Sequence, residues 1–301
     1  MLFSQLPPLL DWTLSLAVGC VLLVFSLVYV FQERLIYMPD FPPGSREHVW
    51  TPDRFGMPFE SVDIVNPKDG VKTVGYYIKP QTTQANNNKL IAVHFCHANA
   101  GNLGHRLPII RRLRDVCTAK GISISVFMPS YRGYGKSEGR PSEDLIREDV
   151  QLGLDWFTDK IKSDDCKLIA YGQSIGGAVA IDLVSRNQDK FSGLIVENTF
   201  TSLPDLVPDI VPLLWPFTFM LRQRWPSIDR LYRLKGYDLK VLLLSGLKDT
   251  LIPPKHSQAL HSALRKLDVE VELATFTDGS HNDTVLQKGY FDAIARLLSD
   301  L

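Results

Sequence analysis

The run Gly172-Gln173-Ser174-Ile175-Gly176 holds a serine between two glycines, spaced for a sharp turn from strand to helix. At such an elbow the hydroxyl is presented to a substrate carbonyl. The helix behind it aims N–H groups and the positive end of its dipole at a developing oxyanion. That chemistry is nucleophilic acyl transfer, and it requires a base, because a free hydroxyl is a poor nucleophile. Seven histidines are available: His48, His94, His97, His105, His256, His261 and His281. His281 stands in the polar loop Asp278-Gly279-Ser280-His281-Asn282-Asp283, after the last expected strand, where a base would reach the elbow. His94 falls inside a continuous apolar run and reads as a core residue. His256 and His261 fall on an expected helix, facing solvent or packing locally.

The imidazole in turn needs a carboxylate that fixes its tautomer and stabilises the imidazolium. Asp249, in the loop after the expected strand 239–245, gives the chain order Ser, Asp, His. Glu197, ending the preceding strand, is the alternative acid, and Asp283 is expected to brace the histidine loop. Two N–H groups must meet the oxyanion. One belongs to Ile175, the residue after the nucleophile. The other is expected from Cys96-His97-Ala98-Asn99-Ala100-Gly101-Asn102, the loop after the third strand, with Asn99 as the candidate donor. Cys96 beside His97 is a competing thiol nucleophile, but the elbow supplies a better-placed group. Asn282-Asp283-Thr284 forms a glycosylation sequon, though a glycan there would sit against the site.

These side chains are far apart in sequence, so a fold must gather them. Residues 58–66 and 71–79 read as an antiparallel pair. Strands at 89–96, 122–128, 167–171, 192–197, 239–245 and 269–276 then alternate with helices at 103–119, 143–162, 175–187, 255–267 and 284–300, with Ser142 as an N-cap. Alternation of this kind gives an α/β class: a mostly parallel central sheet flanked by helices on both faces. Residues 201–235 interrupt it with a proline-broken, apolar stretch that reads as a small helical cap. Asn86-Asn87-Asn88 reads as a turn.

Composition narrows the function classes. The 33 basic and 33 acidic residues balance to a net charge of zero, which argues against a nucleic-acid binder. Cys20, Cys96, Cys117 and Cys166 form no CxxC pair, so neither a disulfide framework nor a structural zinc is expected. The proposed chemistry needs no metal and no organic cofactor. Nothing in the sequence assigns an oligomeric state.

Residues 12–31 (WTLSLAVGCVLLVFSLVYVF) are uncharged throughout, between Asp11 and Glu33-Arg34. At about 1.5 Å per residue such a helix crosses the roughly 30 Å hydrocarbon core. No Lys or Arg precedes Trp12, which disfavours a cleaved signal peptide, and the apolar run continues past the faint lipoprotein-like Ala17-Val18-Gly19-Cys20. The expected organisation is a short segment 1–11, an anchor 12–31, a proline-bearing connector 32–57 and a catalytic domain 58–301. A single-pass protein of an endomembrane, such as the endoplasmic reticulum, or of the plasma membrane is expected, and Arg34 favours a cytosolic domain.

Taken together, these motifs resemble the α/β-hydrolase superfamily over about residues 58–301. Within it they are similar to the membrane-anchored group of alpha/beta hydrolase domain-containing protein 13 and the fungal bud-emergence proteins. The matching pieces are the anchor, Leu35-Ile36-Tyr37-Met38-Pro39, His97-Ala98-Asn99-Ala100-Gly101-Asn102 with Gly104-His105-Arg106, Tyr131-Arg132-Gly133-Tyr134-Gly135-Lys136-Ser137-Glu138-Gly139, Gly172–Gly176, Asp249 and His281-Asn282-Asp283. One departure is Ala98, where the group usually carries glycine; it bears on Asn99 as oxyanion donor. The resemblance implies a serine hydrolase acting on acyl esters, thioesters or amides, with palmitoyl-protein hydrolysis as the specific expectation. Its implied partners are an acylated protein or lipid substrate and the membrane. A lipid esterase, a peptidase and a catalytically silent membrane scaffold are the alternatives. The chain is short for a peptidase with a gating propeller, and dehalogenases or epoxide hydrolases would carry aspartate at Ser174.

Overall fold

The computed structural model describes residues 8–81, 89–162 and 166–301. The Asn86-Asn87-Asn88 turn and most of segment 1–11 lie outside them. Eight strands form one sheet: β1 (Phe59–Val65), β2 (Lys72–Ile78), β3 (Lys89–Cys96), β4 (Ile122–Pro129), β5 (Cys166–Gln173), β6 (Gly193–Glu197), β7 (Lys240–Gly246) and β8 (Glu270–Phe276). Their order is β1-β2-β4-β3-β5-β6-β7-β8. β2 runs antiparallel to both β1 and β4, and all later pairings are parallel.

The central strands are apolar because both of their faces are covered. β4 is buried at every position, whereas edge strand β8 alternates exposed and half-buried residues. One face packs against α3 (Glu143–Lys160), α4 (Ile175–Arg186), α6 (Ser227–Leu231) and α7 (Lys255–Lys266). The other packs against α2 (Leu107–Ala119) and α8 (Tyr290–Asp300). His94 sits in mid-sheet between Phe127 and Ala170, fully buried, as its apolar strand implied.

Two local expectations change. Ser142 occupies the N-cap position of α3, but its side chain makes no capping bond. The expected helix 284–300 is split: a 3₁₀ turn at Thr284–Leu286 ends before Gly289, whose φ of 86° starts α8 afresh. A left-handed residue cannot continue a right-handed helix, and glycine tolerates it.

The cap between β6 and β7 comprises α5 (Leu203–Ile210), a 3₁₀ segment Pro212–Met220, and α6. The first helix, α1 (Pro8–Ile36), holds the one candidate span among the described residues, Trp12–Ile36, whose apolar 18-residue stretch has a mean hydropathy of 2.6 and no buried residue. Phe31 departs from helical geometry (φ −103°, ψ 16°), so α1 kinks where its apolar run gives way to Gln32-Glu33-Arg34.

α1 is tied down at its polar end. Gln32 Oε1 accepts from the Arg222 and Gln223 N–H groups, and Arg222 pairs with Glu33 at 2.9 Å. Tyr37 donates to Gln223 Oε1 and accepts from the indole of Trp225, which is almost wholly buried. The buried Glu143 carboxylate takes the N–H groups of Arg224 and Trp225. These bonds join α1, α3 and the cap across roughly 80 to 190 residues of chain.

Candidate active site

Parallel register puts the carboxyl ends of β3, β5, β6, β7 and β8 along one edge, where open α/β sheets bind ligands. Ser174 follows β5 there with φ 57° and ψ −125°, a backbone that side-chain-bearing residues rarely adopt. Its neighbours hold it. The Ser174 N–H donates to the Glu197 carbonyl at 2.8 Å, and its own carbonyl accepts from Gly177 N–H and Thr199 Oγ1. The flanking glycines are steric requirements: a Cβ on Gly172 would stand 2.0 Å from the Gly176 carbonyl oxygen, and one on Gly176 would stand 2.2 Å from that of Cys96. The second contact also shows that the helix start is packed directly against the loop after β3.

His281 Nε2 lies 3.1 Å from Ser174 Oγ, and His281 Nδ1 lies 2.8 Å from Asp249 Oδ2. With its proton on Nδ1, the ring donates to the carboxylate and accepts from the serine hydroxyl. Asp249 is buried, and its other oxygen accepts from the Leu251 and Ile252 N–H groups at 2.9 and 2.8 Å. The carboxylate is therefore fixed by its own loop independently of the histidine. Ser174, Asp249 and His281 are brought into one hydrogen-bonded chain.

Ile175 is the first residue of α4, beside Ser174. Asn99 is in the adjoining loop, but its side chain is engaged elsewhere. Its Oδ1 accepts from the Tyr134 hydroxyl and the Met38 N–H, and its Nδ2 donates to the Ile36 carbonyl. The side chain of Asn99 thus ties the loop after β3 to the end of α1 and is not free to act as a donor at the serine. His97 supports the same loop. It stacks on Tyr131 with ring centroids 3.8 Å apart, accepts from the Tyr131 N–H, and is held neutral by burial, its pKa pushed down to about 3.

Other candidates are excluded by their surroundings. Burial pushes the Cys96 thiol up to about 12, so no thiolate is available to compete with the serine. Glu197, the alternative acid, is fully buried under the elbow and accepts from the Tyr290, Tyr171 and Gln173 side chains, not from His281. Desolvation raises its pKa, which favours the neutral acid over the anion an imidazolium would need. His256 is buried rather than facing solvent: its Nε2 meets Asp209 of α5 at 3.0 Å and its Nδ1 meets Thr201 Oγ1. It fastens the cap to α7.

Asn198 was not singled out from sequence. Held at φ 44° just after β6, it donates to the Ser280 and His281 carbonyls and to Thr284 Oγ1, and accepts from the Gly246 N–H. It clamps the histidine loop to the end of β7, while Asp283 takes the Ser280 N–H. Its place at a strand's carboxyl end was the available signal, but an asparagine in a loop is too common to stand out.

Known proteins extend the assignment. The sequence model of the prolyl oligopeptidase family matches residues 143–298. The alpha/beta hydrolase domain-containing protein WAV2 of Arabidopsis thaliana is 34% identical, over 90% of this chain and 88% of its own. The chain belongs to the α/β-hydrolase superfamily. Protein bem46 of Schizosaccharomyces pombe is 39% identical to this hydrolase, covering 95% of the chain and 91% of its own. An uncharacterized membrane protein of Saccharomyces cerevisiae is 36% identical, covering 91% and 90%. The fold of the hydrolase is shared with an esterase of Pyrococcus furiosus at a TM-score of 0.64 and 18% identity, covering 84% of this chain and 94% of that one. Family membership makes the protein a serine hydrolase, and the apolar helix Trp12–Ile36, with a relative named as a membrane protein, points to membrane association.

Proposed function

We propose that this protein is a bilayer-anchored acyl hydrolase that cleaves esters or thioesters, its substrate a long-chain acyl group on a membrane-bound protein, palmitoyl-cysteine above all. The supporting observation is the chain Ser174–His281–Asp249 at a strained elbow with both hydrogen bonds formed. His281 takes the Ser174 proton as Oγ attacks the acyl carbon, and the carbonyl becomes an oxyanion that the Ile175 and Asn99 N–H groups stabilise. Collapse breaks the bond to the leaving sulfur or oxygen, which takes the proton from His281. Water then attacks the acyl-enzyme with His281 as base, and Ser174 leaves as the hydroxyl. α1 holds this site where acylated proteins and lipids are concentrated.

The match to the prolyl oligopeptidase family favours one second reading, cleavage of peptide or N-acyl amide bonds. Fluorophosphonate labelling of the full chain separates the readings. Label lost in Ser174→Ala and competed best by long-chain thioesters supports the acyl thioesterase, while competition only by peptide amides supports the peptidase. Folded wild-type protein that takes no label overturns both and leaves a scaffold.

A further inference from the structure

We propose that the 3₁₀ segment Pro212–Met220 of the cap is embedded in the same leaflet as the polar end of α1, so that the catalytic edge lies at the bilayer surface and acyl chains enter from the membrane. This rests on α1 being the bilayer anchor of the preceding reading.

Three observations carry it. The segment touches α1 inside the expected span: the Phe217 and Phe25 rings are 4.0 Å apart, and Phe25, Val28 and Tyr29 line a small cavity with Leu214, Phe217 and Met220. Phe25 precedes the kink at Phe31 by six residues, which places that contact about 9 Å along the helix from the polar boundary. A helix that spans a bilayer must carry whatever touches it there into the hydrocarbon.

The side of the segment turned away from α1 is also apolar. Leu213, Trp215 and Phe219 are 82%, 69% and 75% exposed, and Pro212–Met220 contains no charged residue. Three large apolar side chains exposed within nine uncharged residues form a patch of the kind that marks a membrane or partner surface.

The third observation selects a bilayer over an apolar protein partner. Two segments about 190 residues apart change from apolar to polar at the same height. α1 does so at Gln32-Glu33-Arg34 and the cap at Arg222-Gln223-Arg224. The two polar runs are bonded to each other through Gln32 to the Arg222 N–H and Arg222 to Glu33, with the Arg222 guanidinium over the Tyr29 ring. A common boundary edged by arginines and a tyrosine is the signature of a headgroup layer. Five residues past the kink, the Ile36 carbonyl is already bonded to Asn99 of the oxyanion-side loop, so the boundary and the site are neighbours.

The test uses the full chain in phosphatidylcholine vesicles, with and without brominated acyl chains, and bimane on single cysteines. Native Cys20, exposed on α1, is the anchor probe in a Cys166→Ser background; Cys96 and Cys117 are buried. Leu213→Cys and Phe219→Cys are the cap probes and Lys120→Cys, before β4 at the opposite sheet edge, is the reference, each with Cys20→Ser added. Brominated lipid should quench Cys20 and both cap probes at least twofold and leave position 120 unchanged. Quenching at Cys20 with cap probes behaving like position 120 overturns the inference while leaving the anchor standing. No quenching at Cys20 overturns the anchor reading, and this inference with it.

Discussion

Two regions on the same edge of the sheet were built in opposite ways. The proposed catalytic group consists of residues in the turns that leave strand ends: Ser174 after β5, Asp249 after β7, His281 after β8. Once the parallel register exists, they lie along one edge, and loop contacts such as those of Asn198 orient them. The junction of α1 with the cap has no such framework. Gln32, Tyr37, Glu143, Gln223 and Trp225 meet only because each satisfies a buried polar group on another. The difference teaches that the proposed site is gathered by topology, whereas the attachment of α1 to the domain is made by side-chain hydrogen bonds. Asn99 is where the two meet, with its loop at the elbow and its side chain on α1.

The largest expected effect breaks the catalytic half alone. Ser174→Ala should lower acyl hydrolysis by about 10⁴-fold or more and abolish fluorophosphonate labelling, with the thermal midpoint unchanged. Residual turnover within tenfold of wild type would remove Ser174 from the mechanism.

Next, the two buried carboxylates can be set against each other. Asp249→Asn should cost about 10³–10⁴-fold in kcat, because the amide no longer holds the imidazole in its productive tautomer. Glu197→Gln keeps an acceptor for the tyrosine hydroxyls and should leave kcat within about threefold. The reverse ranking in a kinetic assay would move the acid of the triad to Glu197.

Asn99→Ala sharpens the comparison at its hinge. It leaves the Tyr134 hydroxyl without its acceptor and the Ile36 carbonyl without its Asn99 donor, while the Met38 N–H keeps its bond to Tyr134 Oη, at about 1–3 kcal/mol of stability. It should also lower kcat about tenfold with little change in KM, since the loop donor loses its support. A stability loss with unchanged kcat would separate the anchor from the chemistry.

Acid acts on the stability of the folded chain and not on kcat. His94 and His97 are buried and neutral, with pKa values pushed from 6.5 to about 3 by desolvation. Below pH 6.5 the unfolded chain takes up protons at these rings while the folded chain does not. Their contribution is therefore complete above about pH 6.5 and is lost as pH falls toward 3, by up to about 1.4 kcal/mol per pH unit for each ring. Urea unfolding in detergent micelles should show a lower midpoint at pH 5 than at pH 7; equal midpoints would mean that these rings are hydrated in the native state.

Much of this is legible in the sequence. Continuous apolar runs such as 89–96 (KLIAVHFC) mark buried strands because a strand covered on both faces admits no alternation. Gly172 and Gly176 mark the elbow because nothing larger fits against the Gly176 and Cys96 carbonyls. The buried role of His256 was not legible, since its partner Asp209 belongs to an element 47 residues away. The missing side-chain cap at Ser142 and the break at Gly289 were hidden for a related reason. Each depends on neighbours, or on a φ value, that helical periodicity does not encode.

By itself, the sequence determined the alternation of strands and helices, the apolar length of α1 and the order Ser, Asp, His, because each is set by local pattern and spacing. Tertiary structure decided which acid meets His281, that Asn198 clamps the histidine loop, that Asn99 spends its side chain on the anchor, and that two apolar segments end at one height. These are pairings between distant residues. Their free energy exists only once the sheet has closed the distance and excluded the water that would otherwise satisfy the same groups.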